Sequence, residues 1–221
     1  MYKDIREEEI RRVREIKLWV QGMSDSPAII DKKDDGFQNE KTNEKGLFFI
    51  FLYGIIESTV NQVVMETIKQ LNASQVPINK GIIPLYTLAL DREYKSLAAV
   101  GEKKWEKRWN ISKNIMNNEL IDIPLDAMPT DGKNIRYAQL DSIAKSFGIA
   151  KPAIPDPSYG GYLSTIVDNR NKIAHGDNRP SEIGRNYTIE ELLSYVDITS
   201  QVCMYTIDIY EEYITKQYYL R

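Results

Sequence analysis

Histidine and cysteine are almost absent from this sequence. Each occurs once in 221 residues, as His175 and Cys203. A single cysteine excludes a disulfide within the chain and suits a reducing cytosol, so we expect a cytoplasmic protein. One histidine and one cysteine also exclude a zinc site of the usual Cys/His kind within one chain. We therefore expect no metal site and no cofactor.

Long apolar runs are scarce as well. The most apolar one is L-F-F-I-F-L-Y-G-I-I, ten residues starting at Leu47, and ten residues are too few to span a bilayer. The first residues, M-Y-K-D-I-R-E-E-E, are charged and contain no apolar region of the kind found in signal peptides. We therefore expect no association with a membrane.

An excess of positive charge is missing too. The 29 basic and 32 acidic residues give a net charge of −3, which argues against a broad surface for coating nucleic acid. A protein of this charge that binds nucleic acid needs a local basic patch or a small target. The hydrophobic share of 42% is typical of a globular chain, and the length predicts a single domain, 1–221, with an insertion at about 72–133.

Strand signals are scarce, and helical periodicity predicts an all-α, up-and-down helical bundle. The patterns indicate a surface helix over Asp4–Met23 and a central core helix over Leu47–Leu71. A capping box over Thr188–Glu191 opens the last long helix. The polar stretches Ser24–Gly46 and Asp177–Tyr187 are predicted to be loops, the first of them long and mobile.

The middle of the chain holds a basic segment with two tryptophans. Glu102–Lys113 carries five cations against two anions, and its two tryptophans stand one helical turn apart. Aromatic rings between basic side chains can hold single-stranded RNA by base stacking and phosphate contacts. The alternative is that both rings pack inward and the charges are merely solvated. The candidate RNA-binding residues are Lys104, Trp105, Arg108 and Trp109.

The stretch that holds the only histidine is Tyr162–Gly176, Y-L-S-T-I-V-D-N-R-N-K-I-A-H-G. Its apolar residues recur at helical spacing, which predicts an amphipathic helix. At about 100° per residue, Arg170 falls near the middle of the apolar stripe, while Asn171 and His175 lie one turn apart at its edge. A guanidinium on an apolar face has a desolvation cost unless an anionic group meets it. Gly176 could end the helix in the left-handed conformation.

Glu57 is the unusual residue in the predicted core helix. A buried carboxylate requires a cationic partner, because an unpaired charge is poorly solvated there. One interpretation is a structural pair with a nearby Arg or Lys. The other is that Glu57 contacts Arg170 or His175 and tunes that site.

R-N-K-I-A-H-G, from Arg170, resembles the Arg–x4–6–His motif of the HEPN superfamily. The layout of the chain is similar to that of the MAE-type HEPN subgroup over roughly Asp4–Tyr213, and Y-x-x-x-E-S from Tyr53 also resembles a pattern of that subgroup. The resemblance implies an all-α domain that cuts RNA without metal as a homodimer. It further implies a toxin or phage-defence role, with an antitoxin or a neighbouring defence protein as a possible partner.

RNA cleavage without metal needs a base, an acid and a cation that stabilises the developing charge. His175 can serve as acid or base, Arg170 can grip two phosphate oxygens, and Asn171 can orient the phosphate or His175. One chain supplies one histidine, whereas a two-fold dimer supplies two in one cleft.

Two functions therefore remain open at this stage. The first is a metal-independent HEPN endoribonuclease, and the second is a catalytically silent HEPN module that binds a partner protein or nucleotide. A helical bundle with an apolar dimer face serves both equally well. Loss of activity in His175→Ala with the dimer intact would separate them.

Overall fold

The computed structural model describes residues 2–25, 35–99, 101–102, 104–116, 119–125, 127–129 and 133–221. These residues form nine α-helices, one short 3-10 helix at Ile78–Lys80, and no β-strand, which confirms the predicted all-α fold. The helices are α1 (Tyr2–Asp25), α2 (Asp35–Ala73), α3 (Ile83–Ala89), α4 (Asp91–Ala98), α5 (Lys104–Met116), α6 (Tyr137–Ser146), α7 (Tyr159–Ala174), α8 (Pro180–Gly184) and α9 (Ile189–Thr215).

The central helix is α2, which packs against α1, α7, α8 and α9. Phe48, Leu52, Ile56 and Ile68 on α2 are fully buried, as the prediction of a core helix required. The described residues leave one side of the helix uncovered, and on it Phe51 is exposed. The described part of the chain therefore builds its core around α2.

The predicted loop Ser24–Gly46 is wrong at both ends, because α1 continues to Asp25 and α2 already begins at Asp35. Residues 26–34 of that prediction lie outside the described residues. The start of α2 is polar, but α8 packs directly on it. A side chain at Gly46 would overlap the carbonyl group of Pro180, so only glycine allows this approach.

The predicted loop Asp177–Tyr187 is wrong in its middle, where Pro180–Gly184 forms α8. Proline at the first position and the bond from the Arg179 N–H to Glu182 start this short helix. A side chain at Gly184 would overlap the carbonyl oxygen of Thr42 in α2. Contacts between segments distant in sequence therefore make both α8 and the first turns of α2 helical.

By length and composition, residues 41–73 of α2 could cross a membrane, with a mean hydropathy of 1.6 over the most apolar window. This stretch is longer than the ten-residue apolar run from Leu47 on which the sequence-based expectation rested. Core helices of globular proteins can be equally long and apolar, and 56% of the most apolar part of this helix is buried against the rest of the fold.

The first and last long helices pair along their lengths. Arg6 bonds Asp208 at 2.8 Å, and the apolar residues Val13, Ile16, Val20 and Met23 of α1 are buried. The predicted capping box is confirmed: the Glu191 N–H donates to the Thr188 hydroxyl, and the Thr188 N–H donates to the Glu191 carboxylate.

One acidic residue of α1 is buried together with the apolar residues of that helix. Glu9 is 1% exposed, and neither carboxylate oxygen has a hydrogen-bond partner among the described residues. Burial raises the pKa of Glu9, although Ser200 and Arg6 act in the opposite direction. Burial also raises the pKa of Cys203 on α9, and the charge of Glu9 adds to that rise. Glu9 lies four residues after the buried Ile5 and four before the buried Val13, so the helical period itself places it on the buried face of α1.

The middle third positions α6 beside α7. Isolated bridges join Pro77 to Leu120 and Gly81 to Leu220, so the segment before α3 is tied to the rest of the fold. At the start of α6, Arg136 bonds Asp168 of α7 at 2.6 Å. This contact places the residues that precede α6 next to the last turns of α7. The insertion itself stays a prediction.

Candidate functional site

The last turn of α7 carries the predicted motif. The helix ends at Ala174, and the N–H of the capping residue His175 donates to the Asn171 carbonyl oxygen at 2.9 Å. Gly176 follows with φ +76°, the left-handed conformation expected from the sequence. The His175 side chain is exposed, and its imidazole makes no hydrogen bond or ion pair with a described residue.

Arg170 is half-buried between α7 and α2. Its guanidinium carbon lies 4.9 Å from the centre of the Tyr53 ring, and its Nη1 donates to Asn171 Oδ1 at 3.0 Å. No carboxylate of the described residues forms an ion pair with it. The apolar setting of Arg170 thus holds an aromatic ring and an amide, while the remaining guanidinium N–H donors have no partner in the part of the chain that is described.

Asn171 is held in one orientation by two donors. Its Oδ1 accepts from Arg170 and also from the side-chain amide of Asn134 at 3.1 Å. Because two N–H groups converge on this atom, it is the amide oxygen, and the amide nitrogen points the other way. Asn171 therefore offers an N–H donor on the side that Arg170 and Asn134 leave open.

The Tyr53 hydroxyl is part of the same hydrogen-bond network. It accepts the Ile135 N–H at 3.3 Å, and its own proton is shared between Glu57 and Asn134, both at 3.3 Å. Burial raises the pKa of Tyr53 above its usual value. The hydroxyl consequently stays a donor at neutral pH, and the ring beneath Arg170 is fixed from two sides.

Glu57 lies one turn after Tyr53 on α2 and is half-buried. The described residues show it neither in an ion pair with an Arg or Lys nor in contact with Arg170 or His175. Its carboxylate instead accepts the Tyr53 hydroxyl, and Tyr53 carries Arg170 on its ring face. Glu57 therefore reaches the motif through one intermediate side chain.

Two residues of this network were not predicted to have a role. Tyr53 stood in the Y-x-x-x-E pattern, and its spacing of four from Glu57 was a usable signal that both face the same way. Asn134 carries no such signal, because it lies in an irregular segment brought to α7 only by the fold. The structure places Arg170, Asn171 and Glu57 in one connected network, with His175 one turn further along α7.

The comparison with known families decides what kind of protein this is. The sequence model of the RiboL-PSP-HEPN family matches residues 7–212, which is most of the chain and includes the Arg170–His175 motif. The chain belongs to the RiboL-PSP-HEPN family. The HEPN superfamily predicted from the motif is thereby confirmed, and the matching family bears a different name from the MAE-type subgroup. No curated protein and no solved structure matches the chain.

HEPN domains are often ribonucleases, so RNA cleavage is a common activity in the superfamily to which this chain belongs. The name of the family does not assign a reaction to this HEPN domain. Among the residues that the structure describes, no group of three or more His, Cys, Asp and Glu side chains could hold a metal ion.

The tryptophan segment of this HEPN domain forms α5. Trp105 and Trp109 are 66% and 67% exposed, so the alternative in which both rings pack inward is not found. Lys104 and Arg108 are exposed beside them. No described contact joins these four residues to the Arg170 network.

A separate cavity of about 390 Å³ opens beside the first half of α7. Tyr162, Tyr187 and Tyr195 contribute to its wall, and the Tyr187 hydroxyl accepts the side-chain N–H of Asn169 at 2.8 Å. This cavity lies at the opposite end of α7 from His175. The candidate chemistry therefore sits at an open helix end and not in this cavity.

Proposed function

We propose that this HEPN chain is a metal-independent endoribonuclease that cuts RNA by attack of a 2′-hydroxyl on the neighbouring phosphate. The observation that supports this most is the state of Arg170. Tyr53 and Asn171 hold its guanidinium in place, its other N–H donors are uncommitted within the described residues, and the only histidine lies one turn away. A cation prepared in this way suits an incoming phosphate.

In the proposed reaction, the 2′-oxygen of the RNA attacks phosphorus while an imidazole of His175 takes the proton of that 2′-hydroxyl. The bond from phosphorus to the 5′-oxygen breaks, and a protonated imidazole delivers a proton to that oxygen. Arg170 binds two non-bridging oxygens and stabilises the charge that develops on them. The products are a 2′,3′-cyclic phosphate and a 5′-hydroxyl.

The remaining residues have supporting roles in this proposal. The amide nitrogen of Asn171 points away from Arg170 and can donate to a phosphate oxygen or to His175. Glu57 acts at a distance, because its carboxylate fixes the Tyr53 hydroxyl and so the ring beneath Arg170. We therefore treat Glu57 as a positioning residue.

One chain holds one histidine, while the reaction uses a base and an acid. We propose that a second copy supplies the other imidazole across a two-fold axis. The uncovered side of α2, which we call the open face, adjoins the side that carries Tyr53. It exposes Leu47, Phe51 and Met65, and Gly54 has free space where a side chain would stand. An apolar helix face with a glycine at its centre allows a second helix to approach closely.

The open face can be tested by sedimentation. Phe51→Glu should give a monomer that does not cleave RNA, because it places a charge in the proposed contact. Leu18→Glu, at an equally exposed apolar residue of α1, is the matched control and should leave both dimer and activity intact. A wild-type monomer at micromolar concentration, or an active Phe51→Glu monomer, would contradict the shared site.

The proposed chemistry can be tested on the RNA product. Cleavage should persist in excess EDTA, and it should leave the 2′,3′-cyclic phosphate on one product and the 5′-hydroxyl on the other. A substrate with a single 2′-deoxy nucleotide at the cut position should resist cleavage there, because the nucleophile is missing. Complete loss of activity with EDTA, restored by Mg²⁺ or Mn²⁺, would redirect the search to the carboxylates, beginning with Glu57.

A toxin or phage-defence role in the cytoplasm is the biological setting that we propose for this activity, with an antitoxin or neighbouring defence protein as the restraining partner. The buried, unpaired Cys203 fits a reducing compartment. Expression of the wild type should then arrest growth, and Arg170→Ala should relieve the arrest. Equal growth with both proteins would contradict this setting.

One observation favours the second candidate, a silent HEPN module that binds a partner protein or nucleotide. A catalytic imidazole is commonly oriented by a hydrogen bond from its second nitrogen. His175 has no such partner among the described residues. The partner chain or the RNA has to provide it if the proposed activity is correct, and an inactive wild-type protein would leave the binding module as the remaining function.

A further inference from the structure

Helix α5 presents a stripe of two tryptophans and a methionine to solvent. Trp105, Trp109 and Met116 follow one another at spacings of four and seven residues, so they share one face of the helix. All three are exposed, Met116 by 83%. Ile111 is the buried residue of α5 and faces the other way. Because Ile111 faces the fold, both indole rings lie on the side of α5 that the described residues leave largely exposed to solvent.

The charges of α5 are unevenly committed. The helix holds four cations and one anion. Lys107 bonds the hydroxyl and the carbonyl oxygen of Ser96 on α4, and it therefore fastens the helix to its neighbour. Lys104, Arg108 and Lys113 form no ion pair with any described residue. Positive charge is thus available on α5 although the chain as a whole has a net charge of −3.

The ring and the cation are already arranged together at one point of this surface. The guanidinium of Arg108 lies 4.9 Å over the Trp105 ring, and none of its N–H donors bonds a described residue. Trp109 stands one turn further on, about 5–6 Å away between Cβ atoms. Two planar groups at this separation suit two successive bases of a strand whose phosphates meet the lysine and arginine side chains.

We propose that Lys104, Trp105, Arg108 and Trp109, which we call the α5 platform, bind an unpaired segment of the RNA that the α7 site cleaves. The choice of RNA rests on the proposed function. The choice of a nucleic acid over an apolar protein segment rests on the unpaired cations that flank both rings. The choice of a single strand follows because the bases of a duplex are already stacked on each other and cannot stack on tryptophan. The substrate class is therefore RNA that has at least two adjacent unpaired nucleotides in addition to the two nucleotides that the cleaved bond joins.

Binding can be measured on the wild-type protein with a single-stranded 2′-O-methyl RNA of about twelve nucleotides, within the range such platforms cover. This probe lacks the 2′-hydroxyl and cannot be cut by the proposed reaction. Fluorescence anisotropy should show about tenfold weaker binding for Trp105→Leu and for Trp109→Leu, from the loss of one stacked base each. Met116→Ala, on the same face without a ring, is the matched control and should bind like the wild type.

The lysine and arginine should show their contribution as a salt dependence. Lys104→Ala and Arg108→Ala should each lower the slope of log K against log salt by about 0.7, the value for one phosphate contact on a single strand. Lys216→Ala, an exposed lysine after α9, should leave the slope unchanged. The two tryptophan variants should bind duplex RNA with the same affinity as the wild type, because paired bases do not stack on the rings.

Intrinsic fluorescence gives a second measurement, because two of the three tryptophans lie on α5. The third, Trp19, is half-buried against Phe51. The single strand should quench wild-type emission and leave that of the Trp105→Leu/Trp109→Leu double variant unchanged. Equal anisotropy and quenching in the wild type and the double variant would overturn the platform and leave the stripe as a contact for protein.

The failure of the platform and that of the proposed function have different signatures. If the double variant binds RNA normally while Arg170→Ala abolishes cleavage, the platform is wrong and the nuclease stands. If the tryptophan variants lose binding but the wild type cleaves no RNA, the platform stands and the chain is an RNA-binding module.

Discussion

Two arginines of this HEPN domain lie over aromatic rings at the same distance, 4.9 Å, in different surroundings. Arg170 rests on Tyr53, which is 117 positions away in the sequence and nearly fully buried. Arg108 rests on Trp105, three positions away on the same exposed helix. The first pair exists only because the fold brings α2 and α7 together, whereas the second follows from helical spacing alone.

The difference in surroundings predicts different functional roles for Arg170 and Arg108. A stacked cation that is partly removed from water contributes about 2 kcal/mol, and an exposed one about 0.5–1 kcal/mol. Arg170 is also bonded to Asn171, so its orientation is set before a ligand arrives. Arg108 keeps its freedom to adapt to a flexible strand. We therefore propose that Arg170 stabilises charge in the reaction and that Arg108 captures the substrate.

The largest expected contrast is in the rate of RNA cleavage. Arg170→Ala should lower the single-turnover rate by about 10²–10³, the range for losing a group that stabilises the transition state. Arg108→Ala should leave that rate at saturating RNA within about threefold of the wild type, since it affects binding alone. Arg170→Lys should restore part of the rate, because it keeps the charge without the planar fork.

Thermal unfolding and sedimentation of each variant provide the control for this contrast. Folded, dimeric Arg170→Ala with wild-type rates would contradict the role given to the buried pair. A large drop in the saturated rate of Arg108→Ala would instead place the α5 platform in the chemical step.

The next contrast is in the free energy of unfolding. Tyr53→Phe keeps the ring under Arg170 but removes the hydroxyl that serves Glu57, Asn134 and the Ile135 N–H. Leaving these groups without their partner should cost about 1–3 kcal/mol. Trp105→Leu, at an exposed residue, should change stability by no more than about 0.5 kcal/mol.

Urea unfolding monitored by circular dichroism measures both values. Equal stability of the two variants would mean that the Tyr53 hydroxyl network contributes nothing to the fold. In that case Glu57 would lose its role as a positioning residue, because its only described partner would be dispensable.

The same contrast explains what the sequence could predict. The position of Arg170 on the apolar stripe and the left-handed Gly176 at the helix end are local properties of one helix, and both were found as predicted. Tyr53 and Asn134 reach Arg170 from other segments, so no local period identifies them. The polar first turns of α2 were predicted as loop for a related reason, since α8 holds them from the far end of the chain.

The smallest expected effect concerns Glu9, a buried charge that lacks the partners of Arg170. Its pKa is raised by burial, so folding binds the proton and opposes the ionised form. Stability from this group is full below the unfolded-state pKa, near 4.3, and falls as pH rises from there to the higher folded-state pKa. Glu9→Gln keeps the shape and removes this loss.

We expect Glu9→Gln to raise the free energy of unfolding by about 1 kcal/mol at pH 7, or the melting temperature by about 2–4 °C. The gain should shrink as pH is lowered toward 4, which calorimetry at several pH values can follow. A Glu9→Gln protein that is less stable than the wild type at pH 7 would mean that the ionised carboxylate has a favourable partner.

The most direct test of the proposed ribonuclease is the cleavage of RNA by His175→Ala. Lys216→Ala is a matched control, because Lys216 caps α9 with nearly the same backbone angles as His175 and is likewise exposed. With both variants shown to be folded and dimeric, the account predicts that His175→Ala loses about 10²–10⁴ of the wild-type rate and that Lys216→Ala loses none. Wild-type cleavage by folded, dimeric His175→Ala would contradict the catalytic role of the motif.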